Sequence, residues 1–151
     1  MVGEMKERPI IFSCDMVIAT LNGKKNQIRR IINPPRGKDA SFAGVDFGCP
    51  YGVPGDELWV KEAFRIYDSN AECACYDECT CYTYNGKPIY RADTNCDDSF
   101  KWNSSVIMPR WASRISLIIK SVCVEHLNHI LEPSPFKSNH MVWVIEFEVK
   151  K

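Results

Sequence analysis

The chain has 151 residues, 45% hydrophobic and 25% charged, with nineteen basic residues balanced by nineteen acidic ones. This is the composition of an ordinary globular protein with room for a core, and it excludes collagen-like, low-complexity and disordered classes. No apolar run approaches the roughly 20 residues of a membrane span, and Met1 to Arg8 lack the apolar centre of a secretory signal. One domain over residues 1–151, cytoplasmic and without a membrane partner, is the expectation.

The neutral total is a sum of opposites. Residues 1–38 carry eight Lys/Arg against three Asp/Glu, whereas 66–100 carry seven Asp/Glu against two Lys/Arg. The basic end is therefore a local feature and not a by-product of a basic composition, a candidate anion or nucleic-acid surface with a solvated face near a turn as the alternative.

Glu7 to Phe12 reads as an opening strand. Ser13 then caps a helix to about Asn22, with Val17, Ile18 and Leu21 as its apolar stripe and Gly23 at the left-handed C-terminal position. Gln27 to Ile32 resumes an extended pattern that Asn33-Pro34-Pro35 ends. Residues 36–56 are rich in Gly and Pro and read as a loop. Leu58 to Phe64 is a strand, and 66–89 is an acidic, Cys-rich excursion from the core. Tyr90 to Asp93 is a short strand, and Arg114 to Val124 a longer one with Ile115, Leu117 and Ile119 on one face. In 141–149 Met141, Trp143, Ile145, Phe147 and Val149 alternate with Val142, Val144, Glu146 and Glu148, which predicts a half-buried strand with Met141, Trp143, Ile145 and Phe147 inward. Five to seven strands and one or two helices make an α+β fold, a small mixed β-barrel.

Three blocks of this sequence resemble the ASCH domains, above all the small phage-encoded ones. The first is Ile10 to Arg30, where a helix precedes Gly23-Lys24-Lys25-Asn26-Gln27-Ile28-Arg29-Arg30; the family has Gly-[Arg/Lys]-Lys-Thr-x-Thr-Arg-Arg there. The second is Cys49-Pro-Tyr-Gly-Val-Pro-Gly-Asp-Glu-Leu-Trp-Val-Lys-Glu-Ala-Phe64. The third runs from Tyr90-Arg-Ala-Asp93 through Lys101-Trp102 and Met108-Pro-Arg-Trp-Ala-Ser-Arg-Ile115, and closes with Trp143-Val-Ile-Glu-Phe147. The resemblance implies a PUA-like β-barrel, with one or two flanking helices and a cleft that receives RNA or a nucleotide-like ligand. One related branch is an amidohydrolase of N4-acetylcytidine that uses a Thr nucleophile, a Lys and a Glu on a later helix. The Lys falls on Lys25, but the Thr falls on Ile28. Pro133 and Pro135 argue against the later helix.

The residues expected to bind ligand are Lys25, Gln27, Arg29, Arg30, Trp102, Arg110 and Trp111. Arg supplies a fork of donors and Lys a point charge for phosphates, while Trp offers a stacking plane. Strand alternation sends Arg29 and Arg30 to opposite faces, which leaves Arg30 as a structural ion-pair partner. Arg114 is a further candidate for the same rim, and Trp59 is assigned to the core. Glu62, Asp93 and Glu146 read as ion-pair partners of Lys61, Arg65 or Arg91, with an acid/base pair as the alternative.

Cys14, Cys49, Cys96 and Cys123 read as plain thiols, since disulfides do not persist in a reducing cytosol. Cys73, Cys75, Cys79 and Cys81 leave two readings open: free thiols, or four thiolates for one tetrahedral zinc, the one candidate ion. His126, His129 and His140 read as surface or end-of-strand residues.

The leading expectation is an RNA-, nucleotide- or modified-nucleoside-binding module. An enzyme on nucleosides or RNA, with water or Ser13 replacing the nucleophile, is second. A phage accessory protein that docks on a host protein through its acidic 66–100 excursion is third. Nucleophilic catalysis needs an oriented nucleophile and base together. With Ile28 at the nucleophile position, purified protein should release no cytidine from N4-acetylcytidine above the buffer rate; enzyme-like release that Lys25→Ala abolishes would contradict this.

Overall fold

The computed structural model describes residues 3–32, 48–68, 85–126 and 141–151. They hold seven strands, β1 (Glu7–Ile11), β2 (Gln27–Ile31), β3 (Glu57–Lys61), β4 (Phe64–Ile66), β5 (Pro88–Tyr90), β6 (Ser116–His126) and β7 (Met141–Val149). One α-helix, α1 (Cys14–Leu21), and three short 3-10 turns, Arg91–Thr94, Ser105–Ile107 and Arg110–Ala112, complete the described elements. The fold class is α+β. Five strands pair in the order β1-β3-β6-β7-β2 and two in the order β4-β5. Among the described residues the larger sheet is open, with β1 and β2 at its ends, and does not close into the expected barrel.

Two compact units are distinguishable. The first comprises the described residues of Met1–Arg8, Lys25–Leu58 and Ser116–Lys151, and the second Pro9–Lys24 with Trp59–Ile115. In the first, β7 pairs antiparallel with β2 on one side, Ile28 opposite Ile145, and with β6 on the other, Ile119 opposite Phe147. Trp143, Ile145 and Phe147 are buried as expected and Met141 is half-buried, but Val142 and Val144 are buried too. The strand is therefore buried on both faces from 142 to 145. Its even positions are apolar there and become charged only at Glu146 and Glu148, where exposure begins.

The turn before β3 is built around one carboxylate. Asp56 accepts the backbone N–H groups of Lys6 at 3.1 Å and Val53 at 3.2 Å and faces Arg8 at 3.6 Å. The Lys6 bond first, then those to Val53 and the Arg8 charge, outweigh burial and hold its carboxyl below the usual range. At the next residue, the buried Glu57 carboxylate receives the Lys150 ammonium at 2.8 Å.

In the second unit Ser13 caps α1 as its sequence predicts, its Oγ accepting Met16 N–H at 3.4 Å, and Gly23 takes φ +70° beyond the C-terminus. The apolar stripe differs from expectation: Val17 and Thr20 are buried, while Leu21 is 48% exposed. Thr20 can be buried because its hydroxyl donates to the Met16 carbonyl at 2.7 Å. Tyr90 to Asp93 is not a strand throughout; β5 stops at Tyr90 and the chain coils into the turn Arg91–Thr94.

A further correction concerns Cys14 and Cys96, which form a disulfide across 82 positions and are not plain thiols. Nothing local in the sequence marks so distant a pair. By the chain-entropy account a loop of that size removes about 4–5 kcal/mol of unfolded-state freedom. Cys49 and Cys123 are free.

Gly52 supplies a direct test of the Asp56 turn. Its φ is +121°, and a Cβ there would lie 2.8 Å from Asp56 Oδ2 and 2.9 Å from Arg8 Nη1. Gly52→Ala should cost about 1–3 kcal/mol in urea denaturation; an unchanged midpoint would contradict this account of the turn.

Candidate functional site

Arg114 organises the second unit. Its guanidinium forms a two-pronged pair with Glu62, Nε to Oε2 at 3.1 Å and Nη2 to Oε1 at 3.0 Å. Its Nη1 reaches both oxygens of Asp93, at 2.8 and 3.0 Å. The ring of Tyr90 lies 4.0 Å from the guanidinium carbon, and the Tyr90 hydroxyl donates to the Ala112 carbonyl at 2.7 Å. One cation thus fastens the end of β3, β5, the turn Arg91–Thr94 and the segment after Arg110–Ala112. Phe64, Met108 and Ala112 form the apolar cluster beside it, with Tyr90 packed against them.

Burial pushes the Glu62 carboxyl up, more than the Arg114 hydrogen bond and charge pull it down. Arg114 itself is pushed up: burial lowers it, but hydrogen bonds and charges from Glu62 and Asp93 exceed that effect. Burial also raises the Tyr90 phenol, against the Arg114 charge. Both carboxylates are engaged by the guanidinium, as a structural brace requires. The expected pairing with Lys61, Arg65 or Arg91 is corrected. Lys61 donates to the Val106 carbonyl at 2.6 Å, Arg65 stacks on aromatics, and Arg91 pairs with Asp98. Glu146 instead accepts from Gln27 at 3.4 Å and Ser121 at 3.0 Å.

On this brace hangs a groove of about 540 Å³ lined by Arg65, Ile66, Phe100, Lys101 and Asn103. The volume falls in the range of small-ligand clefts, about 300–1,000 Å³. Asn103 is set by backbone bonds in both directions with Phe64, at 2.7 and 3.3 Å. The Arg65 guanidinium lies over the rings of Phe100 at 4.8 Å and Trp102 at 5.6 Å. Those two rings meet edge to face at 6.1 Å, and Phe100 remains 48% exposed. The indole N–H of Trp102 donates to the Asp97 carbonyl at 2.7 Å, which fixes the ring plane. Hydrogen bonds from the Ser99 hydroxyl and backbone N–H hold the Asp97 carboxyl below its usual range. Two cations, an amide and an exposed aromatic ring converge here.

A second cation–aromatic surface lies on the same unit. Trp59 is half-exposed and carries Lys61 at 5.6 Å and Arg110 at 5.7 Å over its ring. Its assignment to the core is thereby corrected: in β3 Leu58 and Val60 are buried on one face, and Trp59 stands on the other with Glu57 and Lys61. Trp111 is 66% exposed, with Val106 at 60% and Ile107 at 63%.

The expected binding residues divide between the units. Lys25, Gln27, Arg29 and Arg30 belong to the first, where Arg29 is exposed, Arg30 and Lys25 are half-buried, and Gln27 is tied to Glu146. Trp102, Arg110 and Trp111 belong to the second. Ile28, at the nucleophile position, is a core residue with 1% exposure. Sequence reasoning missed Arg65, Phe100, Lys101 and Asn103. An Arg in a three-residue strand and a Phe in an irregular stretch carry no spacing signal, although the Phe100-Lys101-Trp102 triplet offered a compositional one. Cys73, Cys75, Cys79 and Cys81 lie outside the described residues, as do His129 and His140; among the described residues no cluster of His, Cys, Asp and Glu is arranged to hold a metal. Among them, too, no helix is long and apolar enough to cross a membrane.

No family model, no curated protein and no solved structure matches the chain.

The brace is testable through pH. A raised Glu62 pKa means the folded state holds that proton more tightly than the unfolded chain. The group's contribution is complete below about 4.5 and is lost as pH rises through the folded value. Arg114→Met removes the compensating charge and should cost about 3–5 kcal/mol near neutrality. The cost should shrink as pH falls and Glu62 takes up a proton. Chemical denaturation of both proteins at pH 5 and pH 8 checks this; a pH-independent difference would contradict it.

Proposed function

We propose that this chain is a binding module for single-stranded RNA or a nucleotide-like ligand, seated in the groove of Arg65, Phe100, Lys101 and Asn103. The observation that carries the reading is the pairing of an exposed aromatic ring with two cationic side chains and an amide in one concavity. Bases stack on aromatic faces whatever their sequence, phosphates seek Arg and Lys, and an amide can read a base edge. The resemblance of three sequence blocks to ASCH domains, with a PUA-like barrel, supports the same ligand class and belongs to this proposal. So does the exposed Arg29 of the basic stretch, as a second anion-facing surface.

Catalysis is the weaker reading. The two acids best placed for proton transfer, Glu62 and Asp93, are both engaged by Arg114. Docking on a host protein is favoured by one observation, the exposure of Val106, Ile107 and Trp111 within six residues of sequence.

The test is binding of a short fluorescent oligouridylate across a salt series. Affinity should fall with salt by ~0.7 log unit per decade for each phosphate neutralised. Lys101→Ala should lower that slope by about one such step. Phe100→Ala should cost roughly 1–3 kcal/mol of binding while leaving the salt slope unchanged. No binding at low salt, or equal affinity in both variants, would contradict the reading and favour a protein partner.

A further inference from the structure

We infer that the Cys14–Cys96 disulfide is a redox site that sets how firmly the groove's aromatic wall is held, and that small thiols of the glutathione class are its reductants. The inference rests on the binding reading of the groove for its consequence, but not for its structural link.

That link is short. Cys14 is the first residue of α1, and Cys96 follows the turn Arg91–Thr94. Asn95 and Cys96 take φ +53° and +62°, two consecutive left-handed positions with no glycine. Such a backbone persists only where its surroundings hold it. Three things do so. The Arg91 carbonyl accepts the Cys96 N–H at 3.2 Å, Arg91 Nη2 donates to the Cys96 carbonyl at 3.2 Å, and the sulfur is bonded to Cys14. The next residue is Asp97, whose carbonyl receives the Trp102 indole N–H at 2.7 Å. Trp102 in turn meets Phe100 and lies under Arg65. One peptide unit and one hydrogen bond thus separate the cross-linked cysteine from Trp102, whose ring backs Phe100 in the groove lining.

Both cysteines are half-buried, and neither is sealed in the core. A reductant thiolate attacks one sulfur, and the S–S electron pair departs on the other as a thiolate that takes a proton from water. A second reductant thiol resolves the mixed disulfide. The balance is two protein thiols formed, one reductant disulfide formed and two electrons passed to the protein. Glutathione disulfide, by the reverse steps, restores the bond. On reduction the covalent hold on the 95–97 backbone is gone, Trp102 loses its fixed acceptor, and the stacking wall loosens.

The test compares the full chain before and after reduction with dithiothreitol, well below its melting temperature. Peptide mapping of the unreduced protein should find Cys14 joined to Cys96. Reduction should move the Trp102 indole ¹H–¹⁵N resonance, assigned through Trp102→Phe, and weaken oligouridylate binding by roughly fivefold or more. Cys14→Ser and Cys96→Ser should match the reduced protein and ignore dithiothreitol, whereas Cys123→Ser should still respond. Chemically reduced wild type carries the test if a variant does not fold. Free thiols at both positions in the unreduced protein, or an unmoved resonance with unchanged affinity after full reduction, would overturn the inference. A moved resonance with no oligouridylate binding in either state would instead overturn the binding reading and leave the redox link standing.

Discussion

The guanidinium of Arg114 is the fastening on which the second unit depends. All three of its nitrogens are committed, to Glu62 on one side and Asp93 on the other, with the Tyr90 ring against it. Glu62 is almost wholly buried, so this unit places a carboxylate where it is costly unless a cation answers it. Lys could not replace Arg here, because a point charge cannot address two carboxylates through a planar fork. The ends of β3 and β5, the turn Arg91–Thr94 and the segment through Ala112 are held by one side chain, and smaller contacts such as Ser113 Oγ to the Val60 carbonyl at 2.7 Å follow from that placement.

From this fastening the aromatic wall follows. The Arg91–Thr94 turn delivers the chain to Cys96 and Asp97, and Asp97 orients Trp102. Phe64, beside the brace, holds Asn103 by two backbone bonds. The segment between these anchors carries Phe100 and Lys101 outward. The groove is thus a by-product of chain segments pinned on both flanks, the arrangement that keeps a binding surface in shape without ligand. The disulfide adds a covalent pin to one flank only.

Local chemistry made much of the fold legible. Ser13 and Gly23 bound α1 because capping and a left-handed C-terminal residue are decided within a few residues. The strands β6 and β7 follow from period-two runs of Ile, Leu, Val and Trp. Even so, alternation alone could not show that Val142 and Val144 are buried, since that depends on what covers the second face. The functional residues were less legible for the same reason. Arg114 read as a rim candidate at the head of a strand, and the partners that make it a brace lie 21 and 52 positions away. Trp59 read as core because its neighbours are apolar, but one step along β3 turns a side chain to the opposite face. The Cys14–Cys96 pair had no local signal at all, and an assumed reducing compartment pointed away from it.

The central claim is that the concavity lined by Arg65, Phe100, Lys101 and Asn103 receives a phosphorylated, stacking ligand. Chemical-shift mapping by NMR during titration with a short oligouridylate tests it most directly. The account predicts the largest shifts at the Arg65 Nε–H, the Trp102 indole and the backbone amides of Phe100, Lys101 and Asn103. Shifts confined to Lys25–Arg30, or none at saturating ligand and low salt, would contradict it.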